Sequence, residues 1–329
     1  MSAISNLKSL ISNPNLRRIA GAILAVAILI SMGDLLYRTW GDLAKSGFHF
    51  DFDPPRLVVS LALLVVARGF AVEAWRRILI SLAEYFSFGF GARVWFLSNL
   101  TRYIPGNVWQ VATMMVLVEQ KGVSKTNALL SQVVYTALAL AIAGLLGVMF
   151  LFVRPDALSG IVPSESAAYA PFVFFATFVA LVIVFALPPV NRLLVRITAR
   201  LMRRAISAPT PTFARGLIPP FFSLAMWVTN GLAFYLFVGS MTELPLAQLP
   251  AFIAMNAGAY WIGYASLITP SGLGFREGAL AWMLASFFPA PLAVALSLIT
   301  RLWSTAGELL GVVLVWSVPE RKKIDERAL

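Results

Sequence analysis

Cysteine is absent from the 329-residue chain, which removes disulfides, thiol catalysis and thiolate metal sites together. Histidine occurs once, as His49 in the polar connection "SGFHFDFDPP", and one imidazole without a cluster of partners gives no basis for a metal centre. Charge is scarce too: Asp, Glu, Lys and Arg make up only 12% of the residues, with 15 acidic against 26 basic. There is no P-loop, no H-E-x-x-H and no nucleophile, base and acid trio, so this inventory assembles neither an aqueous enzyme active site nor a cofactor site. The stretch "GLGFREG" spaces its glycines close to a dinucleotide fingerprint, but its register is wrong and no strand context surrounds it.

What the chain does contain is apolar surface. Hydrophobic residues make up 59% of it and its mean hydropathy is +0.81, a composition that belongs in lipid rather than in water. Apolar spans fall at about 19 to 37, 57 to 79, 126 to 153, 169 to 190, 217 to 239 and 291 to 317, each long enough to cross roughly 30 Å of hydrocarbon as a helix. The first follows basic residues as a secretory signal would, but no small-residue cleavage pattern follows it, so an uncleaved first span is expected.

Two further apolar regions are broken. "YIPGN" interrupts residues 92 to 118 and "TPSGLG" interrupts residues 249 to 288, leaving arms too short to cross separately. Both regions are expected to form re-entrant helical hairpins, whose irregular tips are tolerated only inside protein or against a watery cavity. The predicted fold is therefore an all-α polytopic membrane protein with about six full transmembrane helices and two re-entrant hairpins.

The cations test this topology. With a cytoplasmic N-terminus, Arg38, Lys45, Arg56 and Arg154 fall outside and Arg68, Arg102, Arg276 and Arg301 within the membrane, while the rest of the 26 Lys and Arg lie on the cytoplasmic side. That is the bias of the positive-inside rule, and it accounts for most of the net charge of +11 without a nucleic-acid partner. Both termini are then cytoplasmic, and the plasma (inner) membrane is the expected location. On this assignment residues 57 to 153 read as span, hairpin, span, and residues 217 to 318 repeat the series upside down as a second half of one transmembrane domain. Pro105 and Pro270 mark corresponding breaks, and matched interruptions in inverted halves point to a transport site near the bilayer midplane.

Between the halves, "NRLLVRITARLMRRAI" places Arg192, Arg196, Arg200 and Arg203 at helical spacing beside an apolar face. An amphipathic basic helix at the cytoplasmic surface attracts anionic headgroups, and it also serves to fix topology.

Polar residues at membrane depth carry whatever chemistry there is. They are Arg68 and Glu73 in the second span, Asn99, Arg102, Asn107 and Gln110 around the first tip, Thr269, Ser271, Arg276 and Glu277 around the second, and Arg301 and Glu308 in the last span. One reading is a structural ion-pair network, since buried charges find partners. The other leaves an arginine for an anionic guest. A guanidinium grips phosphate oxygens bidentately, and half-helix amides after Pro105 and Gly274 would add anion affinity. A phosphate-bearing headgroup is the expected guest, with Arg68, Arg102, Asn107, Thr269, Ser271, Arg276 and Arg301 as its candidate ligands. Glu73, Pro105, Gly106, Pro270, Gly272, Gly274, Glu277 and Glu308 are the candidate structural or gating positions. Gly307 and Gly311 form a G-x-x-x-G in the last span, expected to serve close helix packing.

"NLTRYIPGNVWQ" (99 to 110) and "TPSGLGFREGAL" (269 to 280) resemble the two signature stretches of the lysylphosphatidylglycerol synthase transmembrane-region family, and the resemblance extends over nearly the whole chain. The residues that carry it are Arg102, Pro105, Gly106, Pro270, Gly272, Gly274, Arg276 and Glu277. It implies a flippase-like domain, which in family members with a flippase role moves aminoacylated phospholipid between leaflets; the lipid expected here is an anionic phospholipid or a polyprenyl-phosphate-linked precursor. It also implies an alternative, a non-transporting partner of a lipid-linked glycosyltransferase or another envelope-lipid synthesis enzyme. The sequence ends at Leu329 without the soluble aminoacyl-transferase domain of the fused synthases, so lipid aminoacylation is not expected and the chain is not read as an enzyme.

Overall fold

The computed structural model describes residues 52–101, 109–154, 217–266 and 274–317, together with Gly272 and a few isolated positions. The expected spans at 19 to 37 and 169 to 190 lie outside the described residues, as do the basic segment with Arg192, Arg196, Arg200 and Arg203 and most of both hairpin tips.

Among the described residues there are eight α-helices and no strand. Four are long and apolar enough to cross a membrane: α1 (Pro54–Ser81), α4 (Lys125–Val153), α5 (Ile218–Gly239) and α8 (Ala290–Ser317). They match four of the spans expected from hydropathy. Between α1 and α4 lie α2 (Phe88–Leu100) and α3 (Trp109–Glu119); between α5 and α8 lie α6 (Leu249–Ala265) and α7 (Phe275–Leu284). The breaks coincide with the two Pro/Gly stretches.

Local chemistry sets the boundaries. Asp53 caps α1 by accepting from the Arg56 amide at 3.0 Å, with Pro54 and Pro55 opening the helix. Ser87 caps α2 through the Phe90 amide. Gly122 takes φ +80° in the turn before α4, a backbone state that costs glycine little. The Glu84 carboxylate, beyond the end of α1, accepts from the Ser124 amide at 3.1 Å and from Asn127 Nδ2 at 2.8 Å, clamping the start of α4.

The clamp shows how the first broken segment runs. α1 ends where α4 begins, and at that same end Lys121, after α3, lies over the Phe90 ring near the start of α2. At the apex, Gln110 Nε2 donates to Asn99 Oδ1 at 2.9 Å, tying the start of α3 to the end of α2. The segment therefore enters and leaves at one end of the molecule. α6 and α7 do the same at the opposite end, where Phe252 near the start of α6 meets Phe287 and Phe288 just past α7, and Arg154 after α4 donates to the Ser286 carbonyl. α1 and α5 pack antiparallel: the Asp53 amide donates to the Ser240 carbonyl and Arg56 to the Gly239 carbonyl at one end, while Phe70 meets Phe222 toward the other.

Single cysteines introduced into this cysteine-free chain turn that geometry into a prediction. Residues 84 and 121 are expected to label from one side of the membrane and residue 290 from the other. Opposite-side labelling of 84 and 121 would dismiss the hairpin.

Two apolar cores form, one toward each end. The first gathers Trp75, Leu79, Trp95, Met114 and Ala128, and the second Leu64, Phe234, Phe252, Leu284, Leu296 and Trp303. Three buried indole N–H groups find acceptors, Trp75 at Ser131 (3.0 Å), Trp303 at Ser60 (3.1 Å) and Trp227 at the Ala139 carbonyl (2.8 Å), which offsets the cost of burying them. Gly307 and Gly311 let α8 approach: a Cβ at either would lie 2.3 Å from Leu64 or 2.0 Å from Phe96. The G-x-x-x-G thus serves packing, as expected. Along α1 and α8 the change from one core to the other falls around Arg68 and Glu308, so the charged residues occupy the seam.

Candidate functional site

α8 supplies the frame of this charged layer. Arg301 and Glu308 are seven residues apart, two turns on the same face. Arg301 Nη1 lies 2.8 Å from Glu277 Oε1 of α7, and Glu308 Oε1 lies 3.4 Å from Arg68 Nη2 of α1. The two carboxylates are nearly sealed, with side chains 6% and 4% exposed, a depth at which a charge needs a partner.

Glu277 is used twice. Its second oxygen, Oε2, accepts the Gly274 amide at 2.8 Å, the reach-back half of a capping box at the start of α7. Gly274 has φ +85° and Gly272 φ +68°, and Gly272 packs so closely on the Gly263 carbonyl that an added Cβ would stand 2.7 Å from it. The Gly274 N–H is thus bonded inside the protein, and the amides expected to face an anion are those that follow it in the first turn of α7.

Arg276 has a different environment. Its guanidinium lies over the Tyr260 ring, 5.8 Å from the centroid, and within electrostatic reach of Arg68, Arg301 and Glu277. Among the described residues no carboxylate forms an ion pair with it. Gly263 on α6 makes room for it, since a Cβ there would lie 2.7 Å from Arg276 Cβ. Arg68 contributes a second unmet demand: its Nε is buried without a hydrogen-bond partner. Trp95 Nε1, Ser98 Oγ and Gln132 Oε1 are likewise buried and unpartnered in the first half, with Trp95 packed edge-on against Tyr135 at 4.9 Å.

Glu73 does not join this layer. It accepts from Arg76 Nε and Nη2 at 2.7 and 2.8 Å and from Arg77 at 2.5 Å, all on its own helix toward its end. The expected balance of four arginines against three glutamates shifts accordingly. Among the described residues of the seam, Arg68, Arg276 and Arg301 face only Glu277 and Glu308. Arg102, Pro105, Gly106, Asn107, Thr269, Pro270 and Ser271 lie outside the described residues.

Sequence reasoning missed Tyr260, Tyr264, Tyr135 and Gly263. Tyr260 and Tyr264 stack at 6.3 Å, and Tyr264 lies beside Thr136 of α4. Their signal was the i, i+4 spacing in "AYWIGYASL", directly before the second break.

A helical membrane protein in which two broken-helix units meet around a charged, arginine-rich layer is the class that this geometry defines. The chain belongs to the lysylphosphatidylglycerol synthase TM region family, whose family model matches residues 18–311. That membership ties this integral membrane protein to membrane lipid function. No curated protein and no solved structure matches the chain.

Proposed function

We propose that the protein binds an anionic, phosphate-bearing lipid at the seam and moves its headgroup between leaflets while the acyl chains stay in the bilayer. The observation that carries this reading is Arg276, an arginine at membrane depth with no ion-pairing carboxylate among the described residues, 5.8 Å above Tyr260. A helix N-terminus disfavours a cation, so a neighbouring anion gives Arg276 a reason to be there. The buried, unpartnered Nε of Arg68 asks for an acceptor in the same layer. Phosphate suits both, being planar-fork compatible and multiply charged.

Alternating access is the mechanism we favour. The halves 57 to 153 and 217 to 318 pair their elements in corresponding ways: α1 with α2 and α5 with α6, α8 with α2 and α4 with α6, α1 with α8 and α5 with α4. With hairpins approaching from opposite ends, this supports an inverted repeat whose rocking exposes the seam to each leaflet in turn. The reading assigns the chain no covalent step.

Reconstitution tests it. Liposomes containing the protein and a fluorescent phosphatidylglycerol are expected to lose protection of inner-leaflet label against an impermeant reductant, in proportion to protein. Protection unchanged, together with co-purification of a glycosyltransferase, would replace transport by the partner role.

A further inference from the structure

We propose a second lipid site, apart from the seam. The cleft between α2 and α8 seats one anionic phospholipid of the adjoining leaflet, with its phosphate at Arg93 and the first methylenes of one acyl chain between the helices.

The cleft follows from how the two helices part. α2 and α8 touch where Gly311 meets Phe96, so closely that a Cβ on Gly311 would stand 2.0 Å from the ring. One turn further toward the end where α2 begins and α8 finishes, larger side chains replace the glycine. There the helices leave a cavity of about 250 Å³, lined by Arg93, Phe96 and Leu97 on one side and by Val312, Val315 and Trp316 on the other. Five of these six residues are apolar. The volume falls below the roughly 300 to 1,000 Å³ of sites that enclose a whole small molecule, and it suits part of one flexible chain.

Depth and charge name the occupant. Trp316 stands eight residues beyond Glu308, about 12 Å along a helix, and half of the hydrocarbon layer is about 15 Å. With Glu308 in the seam between the two cores, the mouth of the cleft reaches headgroup level. Trp316 is 77% exposed there, as interfacial tryptophans are. A guanidinium has five N–H donors in a planar fork, so a contact that Arg93 makes within the protein leaves others for phosphate oxygens. Lys121 adds a second cation at this end of α2, over the ring of Phe90, one turn before Arg93. Apolar walls below a cationic mouth match an anionic phospholipid, whose tails lie under its phosphate. A peptide segment fits less well, because its backbone N–H and C=O groups would need partners that Phe96, Leu97, Val312 and Val315 do not supply.

This site stands whether or not the seam moves lipid, and photolabelling tests it by itself. The full-length protein is placed in phosphatidylcholine nanodiscs containing phosphatidylglycerol with a diazirine near the carbonyl end of one acyl chain. After irradiation, labelled residues are located by mass spectrometry. Leu97 and Val315 are expected to carry at least about fivefold more label than Leu314, the worth of one arginine beside an anionic headgroup. Leu314 is the control because it lies at the same depth and is 52% exposed. Arg93→Gln is expected to bring Leu97 and Val315 down to the level of Leu314, and Arg93→Lys, which keeps the charge, to preserve most of the excess. Val315→Trp, which fills the cleft and leaves Arg93 in place, is expected to abolish the excess at Leu97. Its thermal stability and that of the Arg93 variants are measured alongside. Labelling at Leu97 and Val315 no higher than at Leu314 in the wild-type protein overturns the proposal and gives the cleft to a protein segment, the chain's own or a second copy's. An excess untouched by Arg93→Gln overturns it as well, and so does an excess at Leu97 that survives in a folded Val315→Trp protein.

Discussion

Arg276→Gln is expected to leave the protein folded and to weaken binding of phosphate-bearing lipid by about tenfold or more, whereas its neighbour Glu277→Gln destabilises the protein. The two residues are adjacent in sequence, yet they do opposite jobs. Removing the Arg276 guanidinium breaks no ion pair in the described structure and relieves a like-charge neighbour, Arg301. On the proposed reading, what it removes is a charge-assisted contact to the headgroup, worth about 1.5 to 3 kcal/mol. Glu277 holds Arg301 at 2.8 Å and the Gly274 amide at 2.8 Å. Losing its charge leaves Arg301 without that buried partner, a change that costs about 3 to 5 kcal/mol where pairs are well buried, and weakens the start of α7 further. Thermal stability in detergent and lipid affinity, measured for both variants, separate the roles. Wild-type affinity in Arg276→Gln would move the headgroup site toward Arg102 or Arg68.

The second large effect is steric. α4 and α6 touch backbone to backbone where Gly147 meets Gly258: a Cβ on Gly147 would stand 2.6 Å from Gly258 Cα, and one on Gly258 3.1 Å from Gly147 Cα. Helices in lipid associate through such close small-residue contacts because no hydrophobic force drives them together. Gly147→Val is therefore expected to push the helices apart, at about 1 to 3 kcal/mol or more. It also displaces Tyr260 and Gly263, which ride on α6 beside Arg276, so lipid binding falls with stability. Gly278→Ala provides the control: nothing lies within 4 Å of a Cβ there, and a helical Gly to Ala change gains up to about 1 kcal/mol. A Gly147→Val protein as stable as the Gly278→Ala protein would show that the helices separate freely.

Hydropathy alone located α1, α4, α5 and α8, because a membrane span declares itself by length and apolar composition regardless of which face it packs. Pro and Gly located the breaks between α2 and α3 and between α6 and α7 for an equally local reason. Glu277, placed among the structural positions, sits in the first turn of α7, where a helix start favours a carboxylate. Tyr260 and Gly263 were not legible. α6 is apolar all round, so its sequence carries no periodic stripe to show which side meets α7. The sequence reading grouped Glu73 with the other charges at membrane depth, although Arg76 and Arg77 stand three and four residues on, the spacing at which helix neighbours pair. Depth in the membrane drew attention to its charge and away from its local partners.

α8 grips its two partners unequally. The charged grip on α7, in its own half of the chain, is a 2.8 Å contact backed by the bond from Glu277 to Gly274; the charged grip on α1, across to the other half, is a 3.4 Å contact, beside the Trp303–Ser60 bond and the close seat of Gly307 on Leu64. A rocking motion that carries α7 and α8 as one body keeps the first and stretches the second. On the proposed reading, the ion pair between Arg68 and Glu308 is the joint such a motion stretches, and a phosphate arriving beside Arg68 would compete with Glu308 for the same guanidinium.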